Sequence, residues 1–189
     1  MTYIDSLILG ILQAITEFLP ISSSGHLVIA KSLLDISNPA IVYEIILHLG
    51  TLLSIMFYYR KDIIELISNT INNDNNSKHY ILNLFIASIP AGFIGVILKS
   101  EFKLIFENLF VVSIAWIITG IILFSTRNCK STNISNNNIN WKIALIIGFI
   151  QSIAIIPGIS RSGVTISIAM ILGVNNIEAA KFSFFLAIP

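Results

Sequence analysis

The stretch EFLPISSSGHLVIA, Glu17–Ala30, decides how the rest of this sequence is interpreted. Within ten residues it carries a carboxylate, three consecutive hydroxyls and an imidazole, although the chain is 55% hydrophobic and only 11% charged. Soluble domains carry about 25% charged residues, so this composition predicts an integral membrane protein. The formal net charge of +1 argues against nucleic acid as a partner and leaves the lipid bilayer as the expected surroundings.

Three stretches outside this polar cluster are long and apolar enough to be full membrane spans: Ile41–Tyr59, Tyr80–Leu98 and Leu109–Ser125. Each has 17 to 19 residues, or about 26–28 Å of helix, which suits a hydrocarbon core of ~30 Å. Two Asn-rich segments, 60–79 and 126–142, are too polar to enter lipid and are predicted to be solvent-exposed loops.

Two further apolar segments are interrupted and too short to span. Residues 4–34 are broken at Pro20, and residues 143–172 are broken at Pro157 and Gly158. Apolar runs of this length are typical of re-entrant segments. The sequence therefore predicts two re-entrant helical hairpins.

The two hairpins are related in sequence. Gly10–Ala30 aligns without gaps on Gly148–Ile168, at a constant offset of 138, with seven identities in 21 positions. Five of the identities are Gly, Gln or Ser rather than common apolar residues, which indicates a real repeat. The predicted domains are a first repeat, 1–130, with hairpin 4–34 and three spans, and a partial second repeat, 131–189, with hairpin 143–172.

An odd number of spans separates the hairpins, so they are expected to enter from opposite faces of the membrane. The predicted fold is thus an all-α polytopic membrane protein with an inverted-topology repeat, whose second copy is incomplete. Paired, interrupted segments of this kind indicate a site near the bilayer midplane. Basic residues are concentrated after the first and third spans, which predicts a cytoplasmic location for those loops and an outward-facing first hairpin. They are Arg60, Lys61, Lys78, Arg127, Lys130 and Lys142.

Glu17 and Arg161 are the charges nearest the two hairpin tips. A charge at membrane depth costs ~2.5–3.5 kcal/mol on insertion scales and usually marks function. If the hairpins meet tip to tip, the opposite charges offset each other's desolvation. The alternative is a purely structural ion pair.

Gln13 lies four residues before Glu17, so both side chains share one helix face. Two oxygen-bearing side chains one turn apart can hold a hard divalent cation that keeps several waters and bridges to phosphate. Alternatively, Gln13 only hydrogen-bonds a neighbouring helix.

Each tip also begins a second half-helix rich in hydroxyls. The first N–H groups of a helix have no intrahelical partner and favour an anion. Together with the Arg161 guanidinium, they predict a phosphate or pyrophosphate site, although any single serine can equally serve close helix packing. The candidate ligands are Ser22, Ser24, Gly25, Ser160, Ser162 and Gly163.

His26 lies one turn into the first half-helix. Beside a carboxylate and a hydroxyl, its imidazole suits a base or a nucleophile. It can remove the proton of Ser23, which then attacks phosphorus, or it can attack directly. Both readings stay open. Glu44 and His48, four apart in the first span, either add to the cavity or are structural, with Glu44 paired to a polar neighbour; the structural role is the prediction.

LGILQAITEFLPISSSGHL, residues 9–27, and PGISRSGVTIS, residues 157–167, resemble the two signature motifs of the bacterial undecaprenyl pyrophosphate phosphatase family, also known for bacitracin resistance. The resemblance extends over essentially the whole chain. It implies removal of the terminal phosphate of undecaprenyl pyrophosphate at the outer side of the inner membrane, aided by Mg²⁺ or Ca²⁺. The product would return to cell-wall synthesis as lipid carrier.

The resemblance also implies site residues. The acidic metal-binding motif falls on Gln13 and Glu17, and the catalytic serine and histidine fall on Ser23 and His26. The phosphate-gripping motif corresponds to Ser160, Arg161, Ser162, Gly163 and Thr165. Gln13 is neutral where some members have a second glutamate.

Family members continue beyond the position of Pro189, so the resemblance implies an incomplete second repeat. Two alternatives follow for function. An inverted repeat with interrupted helices also suits a lipid or anion transporter, and a chain lacking C-terminal helices suits an inactive truncated remnant. The oligomeric state is left open, a homo-oligomer included.

Overall fold

The computed structural model describes residues 2–36, 41–97, 108–129 and 139–189. The regular elements of these residues are all helical. They are α1 (Tyr3–Thr16), α2 (Ser23–Leu33), α3 (Ile41–Tyr58), α4 (Arg60–Ile71), α5 (Asn75–Ile97), α6 (Leu109–Ser125), a 3₁₀ turn (Thr126–Asn128), α7 (Trp141–Ile153), α8 (Arg161–Ile171) and α9 (Asn176–Phe185). The all-α prediction is confirmed.

The three predicted spans correspond to α3, α5 and α6. Helix α5 and the helical segment that begins with α6 are long and apolar enough to cross a membrane, and α3 counts as a third span when it is taken together with α4, from which it is bent by 70°. Helix α5 begins at Asn75, earlier than predicted, and the predicted end at Leu98 lies outside the described residues. Large apolar side chains along these helices are exposed, as expected for surfaces that contact lipid.

The loop predicted for residues 60–79 is wrong. Helix α4 occupies Arg60–Ile71, and α5 begins four residues after it ends. Ile63 and Leu66 are half-buried against the apolar cluster around α9, so one face of this polar segment is apolar enough to pack. Most of the other Asn-rich segment, including the predicted repeat boundary between residues 130 and 131, lies outside the described residues.

The two predicted hairpins are present as broken helix pairs, α1 with α2 and α7 with α8, and the helices of each pair pack together. Helices α1 and α7 have 14 and 13 residues, about 20 Å each, which is shorter than a hydrocarbon core of ~30 Å. The second helix of each pair is capped in the same way. The Ser22 hydroxyl accepts from the Gly25 N–H at 3.4 Å, and the Ser160 hydroxyl accepts from the Gly163 N–H at 3.1 Å.

The main core lies between α5, α7, α8 and α9, and its buried members include Ala87, Ile147, Ala169, Phe182 and Phe185. Helices α5 and α7 approach very closely at Gly148. A Cβ atom at that position would lie 2.9 Å from the Ala87 Cα and closer still to its carbonyl oxygen. The absence of a side chain at Gly148 is therefore what lets α7 pack against α5.

Gly148→Ala is expected to destabilise the protein by about 1–3 kcal/mol, because overpacking at a backbone contact forces the helices apart. Gly92→Ala, also at a helical position, is the matched control, since a Cβ atom there meets nothing within 4 Å. Thermal unfolding in detergent, followed by circular dichroism, should show a lower Tm for Gly148→Ala only. Equal Tm values would contradict the close contact.

Candidate functional site

The two hairpins meet at their tips. Arg161, the first residue of α8, donates from Nη2 to Glu17 Oε1 at 3.1 Å. The neighbouring backbones are also in contact, because a Cβ atom at Gly163 would lie 3.2 Å from the Pro20 carbonyl oxygen. The Glu17 side chain is 11% exposed and that of Arg161 is 41% exposed, so the carboxylate is enclosed while the guanidinium keeps free donors.

The Glu17 carboxylate connects three other predicted site residues. Besides Arg161, it accepts a short hydrogen bond from the Ser23 hydroxyl at Oε2. Gln13 Nε2 donates to the same oxygen at 3.1 Å. Glu17 is thus hydrogen-bonded both to Gln13, its partner in the predicted metal site, and to Ser23, one of the two predicted nucleophiles.

Ser23 and Arg161 occupy equivalent positions in the two repeats. They are 138 residues apart and are the first residues of α2 and α8. The repeated backbone therefore points a hydroxyl and a guanidinium at the same carboxylate. Glu17 has no acidic counterpart, because the equivalent position is Ile155. The two hairpins therefore have similar backbones but carry different functional side chains.

The serines on either side of these two residues differ in what they do. Ser22 and Ser160 are buried and cap the half-helices, whereas Ser24 and Ser162 are half-buried and lie 3.2 and 3.4 Å from them, oxygen to oxygen. Ser22 has a left-handed backbone with φ of 66°, a conformation that non-glycine residues adopt only where the surrounding structure enforces it.

The tips enclose a cavity of about 230 Å³, here called the tip cavity. Its lining includes hydroxyls from both hairpins, the Glu17–Arg161 pair, and one residue of α3, His48. The polar lining residues are Thr16, Glu17, Ser22, Ser23, Ser24, His48, Ser160, Arg161 and Ser162. A guanidinium, two helix N-termini and several hydroxyls around one cavity can bind a phosphate group.

Other predicted residues lie behind the cavity lining. Gly25 packs so closely on Trp116 that a Cβ atom would lie 2.7 Å from the indole nitrogen. Thr165 is buried, donates to the Arg161 carbonyl at 2.8 Å and contacts Ser183. These positions support the neighbours that line the cavity, and the predicted phosphate contacts of Gly25, Gly163 and Thr165 stay predictions.

His26 is held by its backbone and by Trp116. Its Nδ1 lies 2.8 Å from the Ser22 carbonyl, and its ring centroid is 4.7 Å from that of Trp116. A carbonyl can only accept, so Nδ1 carries the proton and Nε2 is the free nitrogen of the neutral ring. The Ser23 hydroxyl donates to Glu17 rather than to His26, which makes Glu17 the immediate acceptor for the serine proton.

The sequence alone did not single out Thr119 or Trp116, both on α6. The Thr119 hydroxyl donates to the Gly158 carbonyl at 3.1 Å and accepts from the Ser160 N–H at 3.2 Å. It therefore fixes the start of α8 against a span. The sequence indicates these two positions weakly, because a tryptophan and a threonine are unusual in this mostly apolar segment but serines occur there too. By contrast, the predicted pairing of Glu44 is confirmed, since it forms an ion pair with Lys31.

The metal prediction rests on Gln13 and Glu17. Among the described residues, no group of three or more His, Cys, Asp or Glu side chains could hold a metal ion. Gln13 is 1% exposed, and its Oε1 is buried without a hydrogen-bond partner. A carboxylate and an unpaired amide oxygen are donor types that suit Mg²⁺, which usually keeps waters and uses one or two carboxylates plus substrate phosphates; of the two residues, Glu17 lines the tip cavity and Gln13 lies behind it.

Comparison with known proteins gives one consistent result. A sequence profile of the family described as "Bacitracin resistance protein BacA" matches residues 6–189. Among curated relatives, "Undecaprenyl-diphosphatase 4" of Bacillus thuringiensis (strain Al Hakam) is 39% identical over 103 residues, which cover 54% of this chain and 38% of the relative. "Undecaprenyl-diphosphatase" of Methylobacillus flagellatus is 42% identical over 101 residues, covering 53% and 37%. The chain therefore spans about two fifths of the length of the curated relatives it matches.

Thr119→Val is expected to destabilise the protein by about 1–3 kcal/mol, because it leaves the buried Ser160 N–H without an acceptor. Ser113→Ala is the matched control, since that hydroxyl is exposed on the same helix and only donates to the Leu109 carbonyl. Chemical or thermal unfolding in detergent measures both. A Thr119→Val protein as stable as Ser113→Ala would refute this anchoring role.

Proposed function

Because the chain belongs to the Bacitracin resistance protein BacA family, we propose that it is an integral-membrane phosphatase that hydrolyses undecaprenyl pyrophosphate to undecaprenyl phosphate and inorganic phosphate. The observation that carries this proposal is the shared carboxylate of Glu17, which joins a hydroxyl and a guanidinium in one polar cavity. The names of the relatives support the same substrate. Undecaprenyl phosphate would then be available again as a lipid carrier for cell-wall synthesis.

The terminal phosphate binds in the tip cavity. The Arg161 guanidinium has five N–H donors, of which one Nη2 bond goes to Glu17. Its remaining donors and the unpaired N–H groups at the starts of α2 and α8 face the charge of the phosphate. Ser24 and Ser162 supply further hydroxyls at the wall.

Ser23 is the attacking group. Its oxygen forms a bond to the terminal phosphorus while its proton passes to Glu17, and the bond from that phosphorus to the bridging oxygen breaks. The electron pair of that bond leaves on undecaprenyl phosphate. Water then attacks the phosphoserine and gives a proton to His26 Nε2, while the bond between phosphorus and the Ser23 oxygen breaks and that oxygen recovers its proton from Glu17. Inorganic phosphate departs, and His26 releases its proton to solvent.

Gln13 Oε1 and Glu17 would hold a divalent cation, Mg²⁺ or Ca²⁺. When bound, such an ion neutralises charge on the phosphate oxygens. Gln13 also donates to Glu17, so it keeps the carboxylate oriented toward Ser23 whether or not the ion is present.

We place the protein in the bacterial inner membrane with the tip cavity open to the outer side. The basis is the concentration of Lys and Arg in the connections after α3 and α6, which favours a cytoplasmic location for those connections. The substrate's lipid tail would lie in the bilayer, alongside the exposed apolar faces of the spans.

Ser23→Ala and Arg161→Ala are each expected to lower phosphate release from a polyprenyl pyrophosphate by about a hundredfold or more, since one removes the nucleophile and the other a charge-assisted ligand. Ser54→Ala on α3 is the control, because that hydroxyl is exposed and donates to the Gly50 carbonyl. Phosphate release by the detergent-purified chain with Mg²⁺ is the measurement. Full turnover in either site variant would refute its role.

The same variants separate hydrolysis from transport. A carrier needs no nucleophile, so in proteoliposomes Ser23→Ala should leave movement of a lipid diphosphate intact if the protein is a transporter. A protein that moves the lipid and releases no phosphate would replace the phosphatase proposal with the transport alternative.

Gln13→Glu is expected to lower the Mg²⁺ concentration needed for half-maximal activity by about tenfold, because a second carboxylate adds charge to the cation site. With EDTA present its Tm should fall below that of the wild type, since two adjacent carboxylates repel. Gln151→Glu is the control. Gln151 is the repeat equivalent of Gln13, but the residue four positions after it is Ile155, where the first repeat has Glu17. An unchanged Mg²⁺ dependence in Gln13→Glu would contradict the cation assignment.

A further inference from the structure

The tip cavity opens beside a second cavity of about 410 Å³ that runs along α3, here called the α3 cavity. Three side chains line both: Glu17, His48 and Arg161. The remaining lining of the α3 cavity is aliphatic at five positions, Ile45, Leu49, Leu52, Ile55 and Ala187, and polar at two, Glu44 and Thr51. The hydroxyl-lined tip cavity and the largely apolar α3 cavity thus meet at Glu17, His48 and Arg161, here called the junction.

We propose that His48 binds the phosphate that remains on the lipid, at this junction, and donates to the bridging oxygen as it leaves. The inference rests on the proposed function, because it concerns the same lipid diphosphate. With the terminal phosphate beside Ser23, the other phosphate is one bridging oxygen away. It must lie where the tip cavity ends, with the prenyl chain continuing into the apolar groove.

The hydrogen bonding of His48 leaves one nitrogen available for this contact. Its Nδ1 lies 2.8 Å from the Glu44 carbonyl, which can only accept. Nδ1 therefore carries a proton, and Nε2 is the nitrogen left for a ligand. The Thr51 hydroxyl is already used, since it donates to the His48 carbonyl at 2.9 Å.

The charges around His48 do not compete for it. Glu44, one turn away, is paired with Lys31, and Glu17 is paired with Arg161. Each neighbouring carboxylate thus has its own cation. The cationic side chains close to the junction are Lys31 and Arg161. Lys31 is paired with Glu44, and Arg161 is already assigned to the terminal phosphate, so His48 is the group left for the second phosphate. A negatively charged phosphate at the junction would favour the imidazolium form, in which both ring nitrogens donate.

The chemistry of the leaving group requires such a donor. When the terminal phosphorus bonds to Ser23, the electron pair of the broken bond passes to the bridging oxygen. Negative charge grows on that oxygen, and the His48 Nε2 proton can be donated to it. The imidazole recovers a proton from water after the lipid phosphate departs, so protons and electrons balance over the cycle.

Three variants test the assignment with a soluble short-chain substrate, farnesyl pyrophosphate, in detergent. His48→Leu should lower kcat/KM by about ten- to a hundredfold, the effect of one hydrogen bond to a charged group. Inhibition by inorganic phosphate bound beside Ser23 and Arg161 should weaken by less than kcat/KM, although His48 also lines the tip cavity. His48→Gln keeps a neutral hydrogen-bond donor, so its KM should return to the wild-type value. Its kcat should not fall with rising pH, whereas the kcat of the wild type should fall as the imidazolium donor loses its proton.

His79→Leu is the matched control, because it makes the same exchange at an exposed histidine outside both cavities. A His48→Leu protein within twofold of the wild type, or one in which inorganic phosphate inhibition weakens equally, would overturn the inference. A His48→Gln protein with the wild-type pH profile would overturn the proton-donating part.

A binding experiment separates failure of this inference from failure of the phosphatase proposal. It uses a non-hydrolysable farnesyl methylenediphosphonate and a farnesyl monophosphonate. The wild type should bind the diphosphonate more tightly by about tenfold, and His48→Leu should lose that preference even if the wild type releases no phosphate. Equal binding of both ligands by the wild type, or an undiminished preference in His48→Leu, would show that His48 does not bind the second phosphate.

Discussion

The carboxylate of Glu17 is the group on which the remaining site geometry depends. A charge at membrane depth is costly unless it is paired and hydrogen-bonded, and Glu17 is both: Arg161 pairs with it, and Ser23 and Gln13 donate to it. Those partners come from both hairpins. The need to satisfy one enclosed charge therefore holds the two tips together, and the same contacts bring together the groups that we propose as nucleophile, phosphate ligand and cation ligand.

The sequence repeat explains how the site is built from similar parts with different chemistry. Both half-helices begin with a serine cap at equivalent positions, Ser22 and Ser160, so their N–H groups converge on one cavity. The residue after each cap differs, a hydroxyl at 23 and a guanidinium at 161. In the proposed mechanism, the difference at this pair of positions separates attack from charge stabilisation, while the backbone geometry of the two caps is kept.

Close helix packing supports this arrangement from behind. Gly148 lets α7 lie against α5, and Gly25 lets α2 lie against Trp116 on α6. Thr119 satisfies two backbone groups at the start of α8. In a membrane, helices gain little from burying apolar surface, so small residues and interhelical hydrogen bonds carry the association. Here they position the cavity lining rather than only stabilise the bundle.

The sequence by itself determined the three apolar helices and both interrupted hairpins, because hydropathy and proline breaks are local signals with strong energetic consequences. It predicted the pairing of Glu17 with Arg161 for hairpins that meet tip to tip, since opposite charges offset each other's desolvation. It misassigned Arg60–Ile71 as a loop, since the apolar face of α4 packs on a cluster formed by α5, α7, α8 and α9, most of which lies far away in the chain. Only the tertiary structure decided that Glu17 accepts from Ser23, that Thr119 anchors the second hairpin, and that His48 lies between two cavities. Those facts depend on which helix faces which, and side-chain spacing within one helix carries no information about its neighbours.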